Sequence, residues 1–141
     1  KVNGIVVHYT ANPGTTAAQN RSYFNNLAEL KNAYASSHYV VGLQGEIIQC
    51  VPLDEIAYAS NNRNYDTISI ECCHQDAEGR FTDDTYNSLV RLVAALCRTY
   101  GLNPETDVIR HYDVTGKLCP IYYVNNPDEW YAFKLSVKNE M

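Results

Sequence analysis

Residues 4–9 read GIVVHY, a run of β-branched apolar residues that ends in a histidine and a tyrosine. A short apolar run of this kind is typical of a buried strand. The turn residues Asn12–Gly14 follow it, and Thr16 with Gln19 three positions later forms a capping-box pattern. The sequence therefore predicts a buried strand, a turn, and a helix that extends to about Leu30.

Four further strands are predicted downstream. Residues 37–42 (SHYVVG) and 46–51 (EIIQCV) are strand-like, and Leu43–Gly45 between them puts a glycine in the turn, which indicates a β-hairpin. Residues 67–73 (TISIECC) alternate, so their two isoleucines face one side of a sheet while the serine and glutamate face the other. Residues 107–111 (DVIRH) form the last short strand.

The clearest helix is predicted for residues 82–100. Its apolar side chains recur in steps of three and four, Thr82 is a suitable N-cap, and Gly101 is a typical stop residue. Residues 54–66 and 112–126 lack such periodicity, so we expect both segments to be loops.

A last helix is predicted to begin at Pro127, because proline suits the first helical turn. Helices and strands alternate along the chain without an internal repeat or a linker. The predicted fold is therefore a single α/β domain over residues 1–141, with a mixed central sheet of about five strands flanked by helices. The chain starts at Lys1 without Met or a signal peptide, which suggests a piece excised from a longer protein.

Composition excludes several classes of protein. With 141 residues, 45% hydrophobic and 19% charged, the chain has the make-up of a globular domain with a substantial core. A net charge of −5 with scattered basic residues argues against nucleic-acid binding. No apolar run reaches the roughly 20 residues of a membrane span. The five cysteines are an odd number, so at least one stays outside any intrachain disulfide.

Periodicity also predicts which side chains are buried. Tyr23, Leu27 and Leu30 recur at helical spacing in the first helix, so we expect them to pack on the core. Cys97 lies on the apolar face of the long helix and is expected to be a buried free thiol.

Two of the four histidines end predicted strands, His8 the first strand and His111 the last. Strand ends in such sheets often meet at one rim, where ligands bind. Cys119 follows His111 by eight residues. Two histidines and a cysteine form a three-ligand zinc site whose fourth position stays open, as in catalytic zinc centres. From spacing alone, histidines that are simply packed and hydrogen-bonded are the commoner case, and His38 is expected to be one of these.

Two charged residues have both an ordinary and a catalytic interpretation. Glu71 lies in an otherwise apolar strand, where it either faces solvent or projects into a cleft whose burial raises its pKa toward that of a general base. Lys117, two residues before Cys119, is either a surface lysine or a cation that stabilises a developing oxyanion.

Several motifs in combination resemble one known family, the zinc-dependent N-acetylmuramoyl-L-alanine amidases of the type-2 amidase family. That family shares its fold with phage lysozyme-type amidases and peptidoglycan recognition proteins. The resemblance extends over nearly the whole chain, from Ile5 to about Phe133. The stretches that carry it are residues 5–24 (IVVHYTANPGTTAAQNRSYF), 36–60 (SSHYVVGLQGEIIQCVPLDEIAYAS), 66–75 (DTISIECCHQ) and 110–120 (RHYDVTGKLCP).

The resemblance implies that His8, His111 and Cys119 hold one Zn²⁺ ion. It also implies that Glu71 is the catalytic carboxylate and that Lys117 is the lysine found two residues before the third ligand.

Substrate contacts are expected at four positions: Tyr9, Ser37, Tyr58 and Thr115. In some phage relatives a tyrosine at the position of Ser37 has the catalytic role. Because this chain has serine there, Glu71 is the better candidate for the catalytic residue. One departure is the segment 57–60 (AYAS), where many members carry a histidine. The substrate contact of that histidine is therefore not expected in this chain.

The function that these residues imply is hydrolysis of the amide bond between N-acetylmuramic acid and L-alanine in peptidoglycan. The expected protein is a monomeric domain of an extracellular or wall-associated lysin, with a wall-binding module elsewhere in the parent chain. The alternatives are a non-catalytic peptidoglycan-binding module, a cytoplasmic amidase that recycles muropeptides, and a thiol hydrolase that pairs Cys119 with a histidine.

Overall fold

The computed structural model describes the backbone of residues 1–30 and 36–141 and the side chains of residues 1–26 and 36–141. Within this part of the chain, five strands and six α-helices form a single α/β domain with a mixed sheet, as predicted. The strands are β1 (Gly4–Tyr9), β2 (Tyr39–Val41), β3 (Ile47–Gln49), β4 (Thr67–Cys72) and β5 (Val108–Arg110). The helices are α1 (Ala17–Leu30), α2 (Asp83–Tyr100), α3 (Pro104–Asp107), α4 (His111–Thr115), α5 (Ile121–Asn125) and α6 (Pro127–Glu140).

The sheet has the strand order β3-β2-β4-β1-β5. Strand β1 pairs in parallel with β4 on one side and β5 on the other, and β2 is parallel to β4. Of the five described strands, only the hairpin partner β3 runs antiparallel, which confirms the predicted turn at Leu43–Gly45. The carboxyl ends of β4, β1 and β5 therefore lie side by side.

One face of the sheet is apolar. Ile5 and Val7 of β1 lie in register with Ile68 and Ile70 of β4, and all four are fully buried. Helices α2 and α6 cover this apolar face with their buried side chains, which are Leu89, Val93, Cys97, Trp130, Phe133 and Val137 among others. Cys97 is accordingly the buried thiol that the helix periodicity predicts.

The opposite face, called here the polar face, carries the alternate residues. His8 lies in register with Glu71, and Ser69 precedes Glu71 by two residues on the same face. His38, just before β2, aligns with Ser69 through a backbone hydrogen bond of 3.0 Å from His38 N to Ser69 O. Four polar side chains therefore share one side of the central strands.

Helix ends follow the predicted capping residues. The Thr82 hydroxyl accepts a hydrogen bond from the Thr85 amide at 3.1 Å, and Gly101 ends α2 with a φ of 66°, which glycine adopts without steric cost. Thr16 and Gln19 exchange reciprocal side-chain-to-backbone bonds of 2.8 and 3.1 Å at the start of α1. Both capping predictions are confirmed.

The prediction that residues 112–126 form a loop is wrong, because α4 and α5 lie in this segment. Each helix has only five residues, which is too few for apolar periodicity to show. The side chain and backbone of Arg110 instead bond to Asp113 and fix the first turn of α4.

Another predicted loop, residues 54–66, contains a short 3₁₀ turn at Asn61–Arg63.

The predicted packing of Leu27 and Leu30 concerns side chains outside the described residues. No helix in the described ranges is both long and apolar enough to cross a membrane.

Candidate active site

The parallel strands bring three predicted site residues to one end of the sheet. His8 is the fifth residue of β1 and pairs with Glu71 of β4, while Arg110 of β5 pairs with Val7 and leads directly into His111 at the start of α4. Ligand sites at the carboxyl ends of adjacent parallel strands are typical of open α/β sheets.

Cys119 reaches the same place from the segment after α4. Its carbonyl accepts a hydrogen bond from the Tyr112 amide at 3.0 Å, and the backbone amide of Tyr9 donates to its thiol. The peptide bond between Cys119 and Pro120 is cis. The Cys119 Sγ atom lies 3.7 Å from Nδ1 of His8.

His8, His111 and Cys119 together have the geometry of a metal site. One ligand atom from each lies within 4.8 Å of the others, and all three residues are buried. Two ligands at the usual Zn–N and Zn–S distances and a tetrahedral angle would be about 3.6 Å apart, close to the 3.7 Å between Cys119 Sγ and His8 Nδ1.

Both imidazole rings use Nε2 for a contact with the protein, which leaves Nδ1 as the available ligand atom of each. Nε2 of His8 contacts Ser60 Oγ at 3.0 Å, and Nε2 of His111 contacts Asn61 Oδ1 at 2.8 Å. Nδ1 of His111 is buried and has no hydrogen-bond partner among the described residues. A buried nitrogen with a lone pair and no donor fits a metal ligand, so this donor set suits Zn²⁺.

Burial controls the protonation of the ligands. It lowers the pKa of His8 to about 3, with help from the nearby His111 and the Lys117 cation. The pKa of His111 is also lowered, by burial first and by Lys117 second. Both imidazoles are therefore neutral near pH 7, as metal ligation requires.

For the Cys119 thiol the pKa shifts in the opposite direction. Burial and the adjacent Glu71 carboxyl raise its pKa to about 12, while the Tyr9 amide and Lys117 oppose the rise. A thiol with such a pKa is not an activated nucleophile. It becomes a thiolate when a cation compensates the buried negative charge.

Glu71 lies beside the ligand cluster, with Oε2 at 3.6 Å from Nδ1 of His8 and a side chain that is 13% exposed. Burial raises its pKa to about 8, although Lys117 acts to lower it. A carboxyl group with a pKa near neutrality can both accept and return a proton. The exposed Lys117 lines the same cleft as Glu71.

The cluster forms the floor of an open cleft of about 330 Å³. Tyr9 and Tyr58, both predicted substrate contacts, line this cleft. The Tyr9 ring packs against the buried His74 with 4.9 Å between ring centroids. The Tyr9 ring also lies close to the backbone of Gly79, which has a φ of +82°. A Cβ at Gly79 would stand 3.3 Å from the ring. These neighbours fix the position of Tyr9.

Helix α1 supplies a wall that the sequence pattern did not indicate. Tyr23 was expected in the core, but it is 57% exposed and lines the cleft with Phe24. That expectation is wrong because the helix presents Tyr23 to the cleft instead of the sheet. A second hollow, lined by Tyr23, Phe24, Glu71, Asn20 and Thr10–Asn12, continues from the first along α1.

Two other predicted substrate contacts do not reach the cleft. Ser37 is fully buried, and its hydroxyl donates to the Tyr39 carbonyl at 2.6 Å. Thr115 is exposed at the end of α4, where its hydroxyl accepts from the Lys117 amide at 3.3 Å. Neither residue is among those that line the cleft.

His38 has the structural role expected of it. Its Nδ1 accepts a hydrogen bond from the Ser69 amide at 3.0 Å, and its Nε2 donates to the Glu55 carbonyl at 2.8 Å. Both ring nitrogens of His38 thus bond to the protein, whereas His111 uses only Nε2 in this way among the described residues.

Comparison with known proteins gives consistent relationships. The chain matches the family described as N-acetylmuramoyl-L-alanine amidase over residues 1–121. It is 35% identical over 164 residues to N-acetylmuramoyl-L-alanine amidase BlyA of Bacillus subtilis (strain 168), covering 100% of the chain and 43% of that protein. It is 36% identical over 149 residues to N-acetylmuramoyl-L-alanine amidase CwlL of Bacillus licheniformis, covering 96% of the chain and 41% of that protein.

Among solved structures, PlyL superimposes with a TM-score of 0.84 at 28% identity, covering 100% of this chain and 86% of that one. This similarity confirms the predicted fold class. The chain spans less than half the length of the two curated relatives.

Proposed function

Because the chain belongs to the N-acetylmuramoyl-L-alanine amidase family, we propose that it is a zinc-dependent amidase of peptidoglycan. The bond that it cleaves joins the lactyl group of N-acetylmuramic acid to the L-alanine of the stem peptide. The observation that carries this proposal is the buried cluster of His8, His111 and Cys119 beside Glu71, at the floor of an open cleft.

His8, His111 and Cys119 would hold the zinc ion, each histidine through Nδ1. Bound Zn²⁺ supplies Lewis-acid polarisation of a carbonyl oxygen and a water whose pKa is lowered to about 7. With two neutral imidazoles and one thiolate the site keeps a net positive charge, which suits that chemistry.

Glu71 moves the protons of the reaction. Its carboxylate accepts a proton from the water that attacks the amide carbon, and it then delivers that proton to the departing nitrogen of L-alanine. The C–O bond forms first and gives a tetrahedral oxyanion, whose collapse breaks the C–N bond as the nitrogen takes up the proton, so the products are a muramic carboxylate and a free amine. The position of Glu71 next to His8, with Oε2 3.6 Å from Nδ1 and the side chain largely shielded from water, favours both transfers.

Lys117 stabilises the negative charge that develops on the carbonyl oxygen during the attack. Its ammonium group is close enough to the floor of the cleft to influence the pKa of His8, Glu71 and Cys119. A fixed cation beside a developing oxyanion is a common source of catalytic power.

Aromatic rings on two sides of the cleft bind the substrate. Tyr23 of α1 and Tyr58 of the loop before β4 both line it, and each is about half exposed. Such rings offer an apolar surface to sugar faces and a hydroxyl to polar groups.

A thiol hydrolase is a weaker candidate. Its nucleophile would be Cys119, whose pKa of about 12 leaves almost no thiolate near pH 7. The complete ligand set also favours catalysis over a binding-only module.

The proposed site of action is the cell wall, outside the cytoplasm. A domain of net charge −5 has little intrinsic attraction to an anionic wall. We therefore propose that a separate wall-binding segment of the parent protein delivers it, since the curated relatives are more than twice as long as the region matched.

Digestion of purified peptidoglycan tests the proposal. The protein should release free amino groups without new reducing sugar ends, lose this activity on treatment with EDTA, and regain it with Zn²⁺. Intact walls and soluble muropeptides are digested in parallel, and a preference for muropeptides alone would indicate a recycling enzyme.

Two cysteine variants provide the matched comparison. Cys119→Ser should lose zinc and activity, while Cys50→Ser, at a half-buried thiol outside the cleft, should retain both. Full activity of metal-free protein, or its abolition by thiol alkylation with zinc still bound, would contradict the zinc mechanism.

A further inference from the structure

The two zinc-binding histidines are held by neighbouring residues of one loop. Ser60 Oγ lies 3.0 Å from Nε2 of His8, and Asn61 Oδ1 lies 2.8 Å from Nε2 of His111. The loop comes from a different part of the chain than either histidine, 52 residues from His8 and 50 residues from His111.

We propose that Asn61 is a positioning residue, which fixes His111 with its proton on Nε2 so that Nδ1 is presented to the metal. Ser60 holds the ring of His8 in place through its own contact with Nε2. This inference rests on the proposed zinc site and adds the element that organises it before the metal binds.

The hydrogen-bond chemistry at Asn61 determines the tautomer. A carbonyl oxygen can only accept, so the proton of neutral His111 resides on Nε2. The other ring nitrogen then carries a lone pair, and that atom is the buried Nδ1, which has no partner within the part of the chain that the structure describes. Metal-binding histidines generally donate their second ring proton to an acceptor of this kind.

His8 is held in a related way, through a chain of hydroxyl groups. Its Nε2 contacts Ser60 Oγ, which lies 3.0 Å from Ser69 Oγ on the polar face; because a hydroxyl can donate or accept, this contact positions the ring without selecting its tautomer. Both serines are buried, and His8 Nδ1 is left to face Cys119 Sγ at 3.7 Å.

The loop is rigid enough to position these side chains. Asn64 Oδ1 accepts hydrogen bonds from the amides of Ala59 and Ser60, at 3.1 and 2.6 Å. Asn61 itself has a φ of 53°, a left-handed conformation that asparagine, aspartate and glycine adopt more easily than other residues.

That backbone conformation decides which variants to make. Asn61→Gly removes the acceptor without straining the left-handed backbone, whereas alanine would add strain of its own. Asn61→Asp keeps an acceptor oxygen at the same position. Asn62→Gly, at the exposed next residue of the same turn, controls for added backbone freedom.

Zinc affinity is measured by competition with a fluorescent chelator, and the thermal unfolding of each metal-free variant is recorded. Asn61→Gly should weaken zinc binding by about 10–100-fold, the range typical of lost outer partners of metal ligands. Asn61→Asp should restore affinity to within about threefold of wild type, and Asn62→Gly should match wild type. These results, with similar unfolding temperatures for Asn61→Gly and Asn62→Gly, support positioning.

A zinc affinity of Asn61→Gly equal to that of wild type would overturn the inference, as would an equal loss in Asn62→Gly. A separate measurement in the metal-free protein is ¹⁵N NMR of the imidazole nitrogens of His111. The inference requires the proton on Nε2, and a proton on Nδ1 would refute it. Wild-type protein that binds no zinc would refute the proposed function instead, and the NMR result would still decide the tautomer.

Discussion

The two faces of the central sheet are built from alternate residues of the same strands, yet they differ in chemistry. On the apolar face, Ile68 and Ile70 are fully buried against α2 and α6. On the polar face, Ser69 is equally buried and Glu71 nearly so, next to His8. Apolar burial stabilises one face without any need for exact partners. The other face must satisfy every buried polar group by a specific contact.

The comparison shows that the two faces of one strand serve different purposes, one for stability and the other for the site. The apolar face supplies most of the hydrophobic stabilisation, so the polar face can accommodate groups whose burial is unfavourable. The cost is visible in the pKa values, because burial lowers that of His8 to about 3 and raises that of Glu71 to about 8. Substitutions on the two faces should therefore affect different measurements.

The largest effect is expected from Glu71→Gln on the polar face. Loss of the proton acceptor should lower kcat by about 10²–10⁴-fold, while zinc affinity and the fold are retained. Steady-state assay on peptidoglycan, zinc analysis and thermal unfolding check the three parts. A variant with near-normal kcat would remove Glu71 from the proposed role.

The neighbouring substitution Ile70→Ala tests the apolar face. It should lower the free energy of unfolding by about 3 kcal/mol, because a cavity forms in a packed core, and leave the zinc affinity of the folded protein unchanged. Urea denaturation and chelator competition measure the two quantities. A large loss of zinc affinity in Ile70→Ala would contradict the claim that the two faces affect different measurements.

His38→Gln tests a polar-face residue that is structural. At pH 7.5 it should destabilise the metal-free protein by about 1–3 kcal/mol, because the Ser69 amide and the Glu55 carbonyl lose their buried partner. Zinc affinity should stay close to that of wild type.

The pH dependence of that difference has a definite sign. Burial lowers the pKa of folded His38 below 6.5, so as the pH falls below 6.5 the unfolded chain binds the proton first. This contribution to stability is therefore present above pH 6.5 and is lost as the pH falls toward the lowered pKa. Glutamine does not titrate, so the gap between wild type and His38→Gln should narrow in acid. A gap that is constant from pH 7.5 to pH 5 would contradict this prediction.

The smallest effect is expected at the rim of the cleft. Tyr23→Ala should raise KM about fivefold with kcat unchanged, the loss of about 1 kcal/mol of ring contact. Tyr131→Ala, at a similarly exposed tyrosine on α6 outside the cleft, is the control. Equal KM values for the two variants would show that Tyr23 does not contact substrate.

Prediction from sequence was most successful where the signal is local. The strict alternation of residues 67–73 gave the faces of Ile70 and Glu71 correctly, and Thr82 and Gly101 marked both ends of α2. It was least successful where a helix is too short for periodicity, as at α4 and α5, or where a periodic side chain faces a cleft, as with Tyr23.

The candidate site shows the same limit. The resemblance identified His8, Glu71, His111 and Cys119 as a set, and the structure brings them together. It did not identify Asn61. This residue lies in a loop without a regular sequence pattern, and its contact with His111 joins positions 50 residues apart. Such a contact leaves no periodic trace in the sequence.

By itself, the sequence determined the strands, the capped helices, the alternation of β4 and the types of residue available for zinc and proton transfer. These properties depend on backbone preferences and on hydrophobic spacing over a few residues. Only the tertiary structure decided the parallel order β4-β1-β5, the 3.7 Å approach of Cys119 to His8, and the exposure of Tyr23. Those features follow from packing between distant segments, where the free energy depends on which partners meet and not on the preference of either segment alone.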